Sequence, residues 1–190
     1  SAVPIENFGA GVLDRLGLGY DAMQKINPNL VYCALKGFLS GPYEKRAALD
    51  EVVQMMGGLA YMTGPEGNPM RAGASVNDVM GGLFGVIAIQ AALWERQQTG
   101  KGTFVRSGLF ESNMFLVAQH MVQYRQTGIA AAPMPERVSA WAVYDVFATA
   151  DGKKIFVGVV SDKQWVLFCN AFDLEYLLED AELQSNAQRV

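Results

Sequence analysis

Asp78 is the acid in this sequence with the most chemistry open to it. It stands at the head of a long apolar segment, in Ser75-Val76-Asn77-Asp78, and a serine followed three residues later by an acid is the pattern of a capping box, a structural device for starting a helix. The same surroundings support a second reading. The Gly/Pro loop Thr63 to Pro69 comes before it and Gly81-Gly82 just after, and on this reading its carboxylate is poorly solvated yet open to a bulky substrate, a setting in which it can serve as a nucleophile. The residues alone leave both readings open. Asp50 follows the basic pair Lys45-Arg46 and reads as half of a solvated ion pair, with an active-site role as its alternative. Glu111 is the remaining acid of interest. Arg15 and Lys36, each at an element end beside glycine, suit phosphate oxygens and ordinary surface positions equally well.

Other patterns exclude more than they assign. Gly17-Leu18-Gly19 opens like a dinucleotide fingerprint but lacks the third glycine and precedes the first clear strand. Gly100-Lys101-Gly102-Thr103 leads from helix to strand, the reverse of a phosphate-cradling loop, and reads as a cap and turn. His120, the single histidine, has no G-x-S-x-G elbow before it and reads as a helix-packing side chain. Cys33 and Cys169 lie in apolar stretches without zinc spacing, so they read as buried reduced thiols, and no metal is implied. Fifteen Lys and Arg against nineteen Asp and Glu give a formal charge of -4, which removes the electrostatic case for a nucleic-acid partner. The longest unbroken apolar run, Val79 to Ile89, is well short of the roughly 20 residues that span a bilayer. The chain therefore reads as soluble and cytoplasmic, with no membrane partner.

With 51% hydrophobic and 18% charged residues over 190 positions, the chain can bury a core in one or two domains. Ala2-Val3-Pro4-Ile5 is an apolar entry with no helix or strand opening, as in the middle of a longer protein. Val12 to Leu16 and Tyr20 to Ile26 are expected as helices and Leu30 to Leu35 as a buried strand. Ala47 to Met56 is expected as a helix with Val52, Val53 and Met56 inward, closed by Gly57-Gly58. Val76 to Gln98 reads as a helix buried on most of its surface, because its apolar residues run nearly all round. A strand over Thr103 to Arg106 and a helix over Leu109 to Thr127 follow. The composition of Ala130 to Pro135 is that of a linker, which divides the chain into a segment 1–129, a linker 130–136 and a smaller domain 137–190. In that domain Val143 to Thr149 and Lys154 to Val160 form a hairpin, Ser161 caps a helix through Trp165 to Phe172, and Leu174 to Gln184 reads as helical.

Six segments in collinear order carry a resemblance: ENFGAGVLDRLGLGYD (from Glu6), INPNLVYCALKGF (from Ile26), GPYEKRAALDEVVQMMGG (from Gly41), the TG-x-x-G-x-P loop, SVNDVMGGLFGVIAIQAALWERQQTGKG (from Ser75) and AVYDVFATADGKKIFVGVVSDKQW (from Ala142). Together they resemble the class III CoA-transferases, the group of formyl-CoA transferase and the carnitine CoA-transferases. The resemblance implies an α/β fold with a Rossmann-like large lobe, only partly covered here, and a small α+β lobe, in an interlocked homodimer. It implies coenzyme A as carrier, an acyl-CoA and a carboxylic acid as substrates, and Asp78 as the catalytic aspartate that becomes an aspartyl-CoA thioester. Backbone amides of the helix head around Asp78 are then expected to hold developing oxyanions. Asn7, Phe8 and Gly9 match the segment lying along CoA, Arg15 a CoA-contacting arginine, and Arg46, Ala47, Ala48 and Leu49 a further CoA-binding turn, with Asp50 at an acidic position close to the active site. Two departures narrow the activity. Val138-Ser139-Ala140-Trp141 is not the glycine-rich loop of the formyl-CoA subtype, and Leu49 stands where the related acyl-CoA racemases, the alternative of the same superfamily, use a histidine. A non-catalytic, dimer-forming fragment is the third alternative.

Overall fold

Leu30 to Ala34 are five consecutive residues with almost no exposure, and a strand buried on both faces belongs in the middle of a parallel sheet covered on each side. The computed structural model, which describes residues 3–190, has that arrangement. Strand β2 (Tyr32–Lys36) lies between β1 (Ile5–Glu6) and β3 (Phe104–Gly108), and both pairings are parallel. Parallel neighbours require crossovers, and helices supply them. Between β1 and β2 run α1 (Val12–Arg15) and α2 (Tyr20–Ile26); between β2 and β3 run α3 (Asp50–Met56), α4 (Leu59–Thr63) and α5 (Val76–Thr99), and α6 (Leu109–Thr127) follows β3.

Side-chain alternation along β2 assigns the two faces. Tyr32 and Ala34 join Leu30 in a cluster covered by Leu13, Tyr20 and Met23 of α1 and α2, and Tyr20 stacks on Phe104 with ring centroids 5.0 Å apart. Cys33 and Leu35 point the other way, toward α5, where Gly85 lets the helix come close: a Cβ there would stand 2.8 Å from Leu35 Cδ2 and 3.7 Å from Cys33 Sγ. Ser107 Oγ donates to the Gly81 carbonyl at 2.7 Å, which pins β3 to the same helix.

Several expectations are corrected. Ile5–Glu6 is a strand, too short to show a pattern by itself and defined by its pairing with Cys33 and Ala34. The helix expected from Ala47 starts at Asp50, because Leu49 is extended (φ -111°, ψ 164°). Its buried residues are Asp50, Val53 and Gln54, while Val52 and Met56 are exposed, since the residues that meet α5 and α6 are one step round the helix. Helix α5 buries only Asn77, Gly81, Gly85 and Ala92, and Val79, Leu83, Val86, Ile87 and Trp94 are exposed, so its sheet-facing side is the small-residue side. By length and composition alone α5 would also be long and apolar enough to cross a membrane, although no unbroken apolar run reaches that length.

The chain divides into two compact units, Ser1–Glu136 and Arg137–Val190. Residues 130–136 pack on the first unit: Ala131 is buried, and its carbonyl accepts from the Tyr61 hydroxyl. In the second unit β4 (Tyr144–Ala148) and β5 (Lys154–Gly158) pair antiparallel, followed by α7 (Asp162–Ala171), whose Trp165 and Cys169 form a core with Val159. Ser161 caps α7 by accepting from Gln164 N at 3.2 Å. The stretch 174–184 is two short 3-10 turns, Glu175–Leu178 and Ala181–Leu183, and not one helix; Asp180 is extended and its side chain caps the second turn. Helix α8 (Asn186–Arg189) closes the unit, and the Arg189 guanidinium lies 4.9 Å from the Trp165 ring centre.

Candidate active site

In an open parallel sheet, ligands bind in the crevice beyond the carboxyl ends of the strands, because the loops there can be varied without disturbing the core. All three strands of the first unit end at one cavity of about 510 Å³. Asn7 follows β1, Lys36 and Gly37 end β2, and Ser107 and Leu109 flank the end of β3. The head of α5 adds Asp78, Gly81 and Gly82, and the turn before α3 adds Ala48 and Leu49. Four separate segments singled out in the sequence thus meet around one carboxylate. Gly37 lets the α3 turn approach β2, since a Cβ at that position would collide with Ala48.

Asp78 is exposed at this cavity, and its carboxyl is held above the ordinary carboxylate range, first by partial desolvation and then by the negative charge of Asp50. Asp50 is no surface ion pair. It is 3% exposed, and its Oδ1 accepts from Asn77 N at 2.7 Å and Asp78 N at 3.3 Å. Gln54 Nε2 donates to its other oxygen, and Gln54 Oε1 accepts from Ala72 N at 2.7 Å. The capping box is therefore not formed: Ser75 makes no side-chain bond to the helix head, and an acid from α3 takes its place. A second expectation falls with it. Val76 N goes to the Ala74 carbonyl and Val79 N to Ser75, so all four leading amides of α5 are occupied and none is left for an oxyanion.

The remaining expected contacts do not line this cavity. Phe8 is 54% exposed, and its carbonyl accepts from Lys36 Nζ at 2.7 Å. Gly9 lines a smaller neighbouring cavity of about 250 Å³ together with Gly11, Tyr20, Lys36 and Arg106. Arg15 is exposed at the end of α1, Ala47 is exposed, and the Arg46 guanidinium lies 5.2 Å from the Tyr43 ring centre. Lys36 lines both cavities and pairs with Glu6 at 2.6 Å. Glu111 accepts from Leu39 N at 3.1 Å, and His120 is half-buried on α6. Sequence reasoning missed Gln54; its four-residue spacing from Asp50 on a helix was the available signal. Among the described residues no group of three or more His, Cys, Asp or Glu side chains is placed to hold a metal.

The family model described as CoA-transferase family III matches residues 1–190. The chain is 34% identical over 188 residues to succinyl-CoA:glutarate CoA-transferase of Mus musculus, which covers 98% of this chain and 43% of that protein. It is also 34% identical over 188 residues to acetyl-CoA:oxalate CoA-transferase of Acetobacter aceti, covering 97% of this chain and 48% of that protein. A crystal structure of a CaiB/BaiF family protein from Brucella suis superposes with a TM-score of 0.83 at 34% identity, over 98% of this chain and 50% of the other. The chain thus spans about half the length of the relatives it matches, and it has their fold, that of class III CoA-transferases.

Proposed function

We propose that this chain, which belongs to CoA-transferase family III, takes part in moving CoA from an acyl-CoA to a free carboxylic acid, with Asp78 as covalent nucleophile. The observation that carries the proposal is the exposed Asp78 carboxylate in a strand-end cavity, kept more basic than an ordinary acid by its surroundings. The carboxylate attacks the donor thioester carbonyl, the C–S bond breaks, and a mixed anhydride and CoA thiolate result. The thiolate then attacks the aspartyl carbonyl of the anhydride, which frees the donor acid and leaves an aspartyl-CoA thioester. The acceptor carboxylate attacks that thioester to give a second anhydride and thiolate. Attack of the thiolate on the acceptor carbonyl releases the new acyl-CoA and restores Asp78. No proton or hydride changes hands, and the thioester energy stays in covalent form throughout.

Asn7, Ala48 and Leu49 form the wall along which the CoA arm is proposed to lie, with Phe8, Gly9 and Ala47 continuing that surface and Arg15 and Arg46 available to the phosphates. Racemisation is disfavoured by Leu49, a cavity residue that can neither take nor give a proton. Exposed apolar residues along α5 and α6, among them Val79, Leu83, Phe115 and Val122, suit burial in an interlocked homodimer. Two buried free cysteines suit the reducing cytoplasm. The test is Asp78→Ala in the whole protein: turnover should fall well below a tenth, and retention of more than about 10% would remove the nucleophile.

A further inference from the structure

We infer that Asp50 is a positioning residue for Asp78, a buried carboxylate on a neighbouring helix that fixes the head of α5 and sets the charge against which Asp78 works. The inference rests on the reading of Asp78 as nucleophile. A helix head is ordinarily satisfied by its own N-cap side chain, which leaves the local positive potential free to stabilise a nearby carboxylate. Here Ser75 makes no such bond, and Asp50 reaches across from α3 to the amides of Asn77 and of Asp78 itself, at 2.7 and 3.3 Å. Gln54 holds the other Asp50 oxygen and ties it to the backbone of Ala72, four residues before α5 begins. One chain of hydrogen bonds therefore joins α3, the incoming loop and the residue that bears the nucleophile.

Two consequences follow from that geometry. The amide of Asp78 is bonded to a fixed, fully enclosed partner, so the first turn of α5 cannot slide as the carboxylate changes from anion to anhydride to thioester. The full negative charge of Asp50 also sits on the very amides whose positive potential would otherwise quiet the Asp78 anion. A carboxylate denied that stabilisation is more basic and attacks more readily, and acylation removes its charge, so the repulsion present before attack is relieved in each covalent state. Asp50 thus favours the aspartyl-CoA thioester over the free carboxylate without touching substrate.

The other charges around this pair are engaged elsewhere. Lys36 in the cavity wall pairs with Glu6, Glu51 with Arg71, Arg106 with Glu44 at 3.7 Å, and Glu111 accepts from Leu39 N. They are common to all variants compared below.

The experiment uses the whole protein with succinyl-CoA plus glutarate or acetyl-CoA plus oxalate, whichever pair the wild type turns over faster. Asp50→Asn keeps the shape and one acceptor oxygen but removes the charge. Expected are a kcat lowered about tenfold or more, a donor KM within about threefold of wild type, and an acid limb of kcat/KM moved to lower pH; the melting temperature falls, because the new amide nitrogen faces Gln54 Nε2, itself a donor. Gln54→Met keeps the charge and cuts the tie to Ala72, so kcat should fall while the acid limb stays. A folded Asp50→Asn protein with wild-type kcat and an unmoved acid limb overturns the inference. Should that variant not fold, a wild-type kcat in Gln54→Met overturns it. Asp78→Ala keeps the two ideas apart: activity in that variant removes the nucleophile itself, whereas an inactive Asp78→Ala beside a wild-type-like Asp50→Asn removes only the role given to Asp50.

Discussion

Gly82 and Gly85 occupy the same helix and answer an added methyl group in opposite ways. A Cβ at Gly82 meets nothing within 4 Å, because this residue borders the cavity beside Asp78. Replacing a helix-interior glycine by alanine removes an entropic penalty of about 1 kcal/mol, and at Gly82 nothing offsets that gain. At Gly85 the same methyl would stand 2.8 Å from Leu35 Cδ2, with Cys33 Sγ at 3.7 Å behind it. Leu35 must leave its rotamer, at a cost of roughly 0.5–1.5 kcal/mol, which cancels the gain. Gly82→Ala should therefore be more stable than wild type by about 1 kcal/mol, and Gly85→Ala equal to wild type or weaker. For a domain of this size 1 kcal/mol corresponds to roughly 2–4 °C in Tm, within reach of calorimetric melts at fixed pH. The methyl at Gly82 also narrows the cavity, so the stabler variant should be the poorer transferase, with a raised donor KM. If Gly85→Ala melts as high as Gly82→Ala, the close packing of α5 on β2 is wrong. If Gly82→Ala leaves KM and kcat untouched, substrate does not approach Asp78 along that wall.

Two further measurements test the electrostatics and the second unit. Because the fold holds the Asp78 proton more tightly than the unfolded chain does, stability is lost as pH rises from the ordinary carboxylate range through the raised value. Asp78→Asn removes that loss, so its Tm should exceed wild type at pH 7, with the gap closing below the ordinary carboxylate range; solvent screening at this exposed side chain keeps the gain small. A lower Tm for Asp78→Asn at pH 7 contradicts this. Ser161→Ala removes the acceptor for Gln164 N and should cost about 1 kcal/mol, read as a lower melting temperature; an unchanged melt would mean that α7 does not depend on this cap.

Much of the architecture is written locally. The apolar run around Cys33 has to be an inner strand, Gly100 and Gly128 both take the left-handed conformation (φ 68° and 71°) that ends α5 and α6, and Ala150-Asp151-Gly152 turns the hairpin. Each is decided by residues within a few positions of one another, and a sequence displays such patterns directly. The resemblance likewise picked out Asp78, Asn7, Ala48 and Leu49, which the fold brings to one cavity. What the sequence did not disclose were partnerships between distant residues. Ser75 and Asp78 have the spacing of a self-contained cap, yet the helix head is capped from 27 and 28 positions upstream, because Asp50 is buried where it reaches those amides and Ser75 is not turned toward them. Ile5–Glu6 becomes a strand only by lying beside Cys33 and Ala34. Periodicity and turn chemistry determine the elements; only the packed chain decides which charge stands next to Asp78, since that depends on a distance through space that spacing along the sequence does not encode.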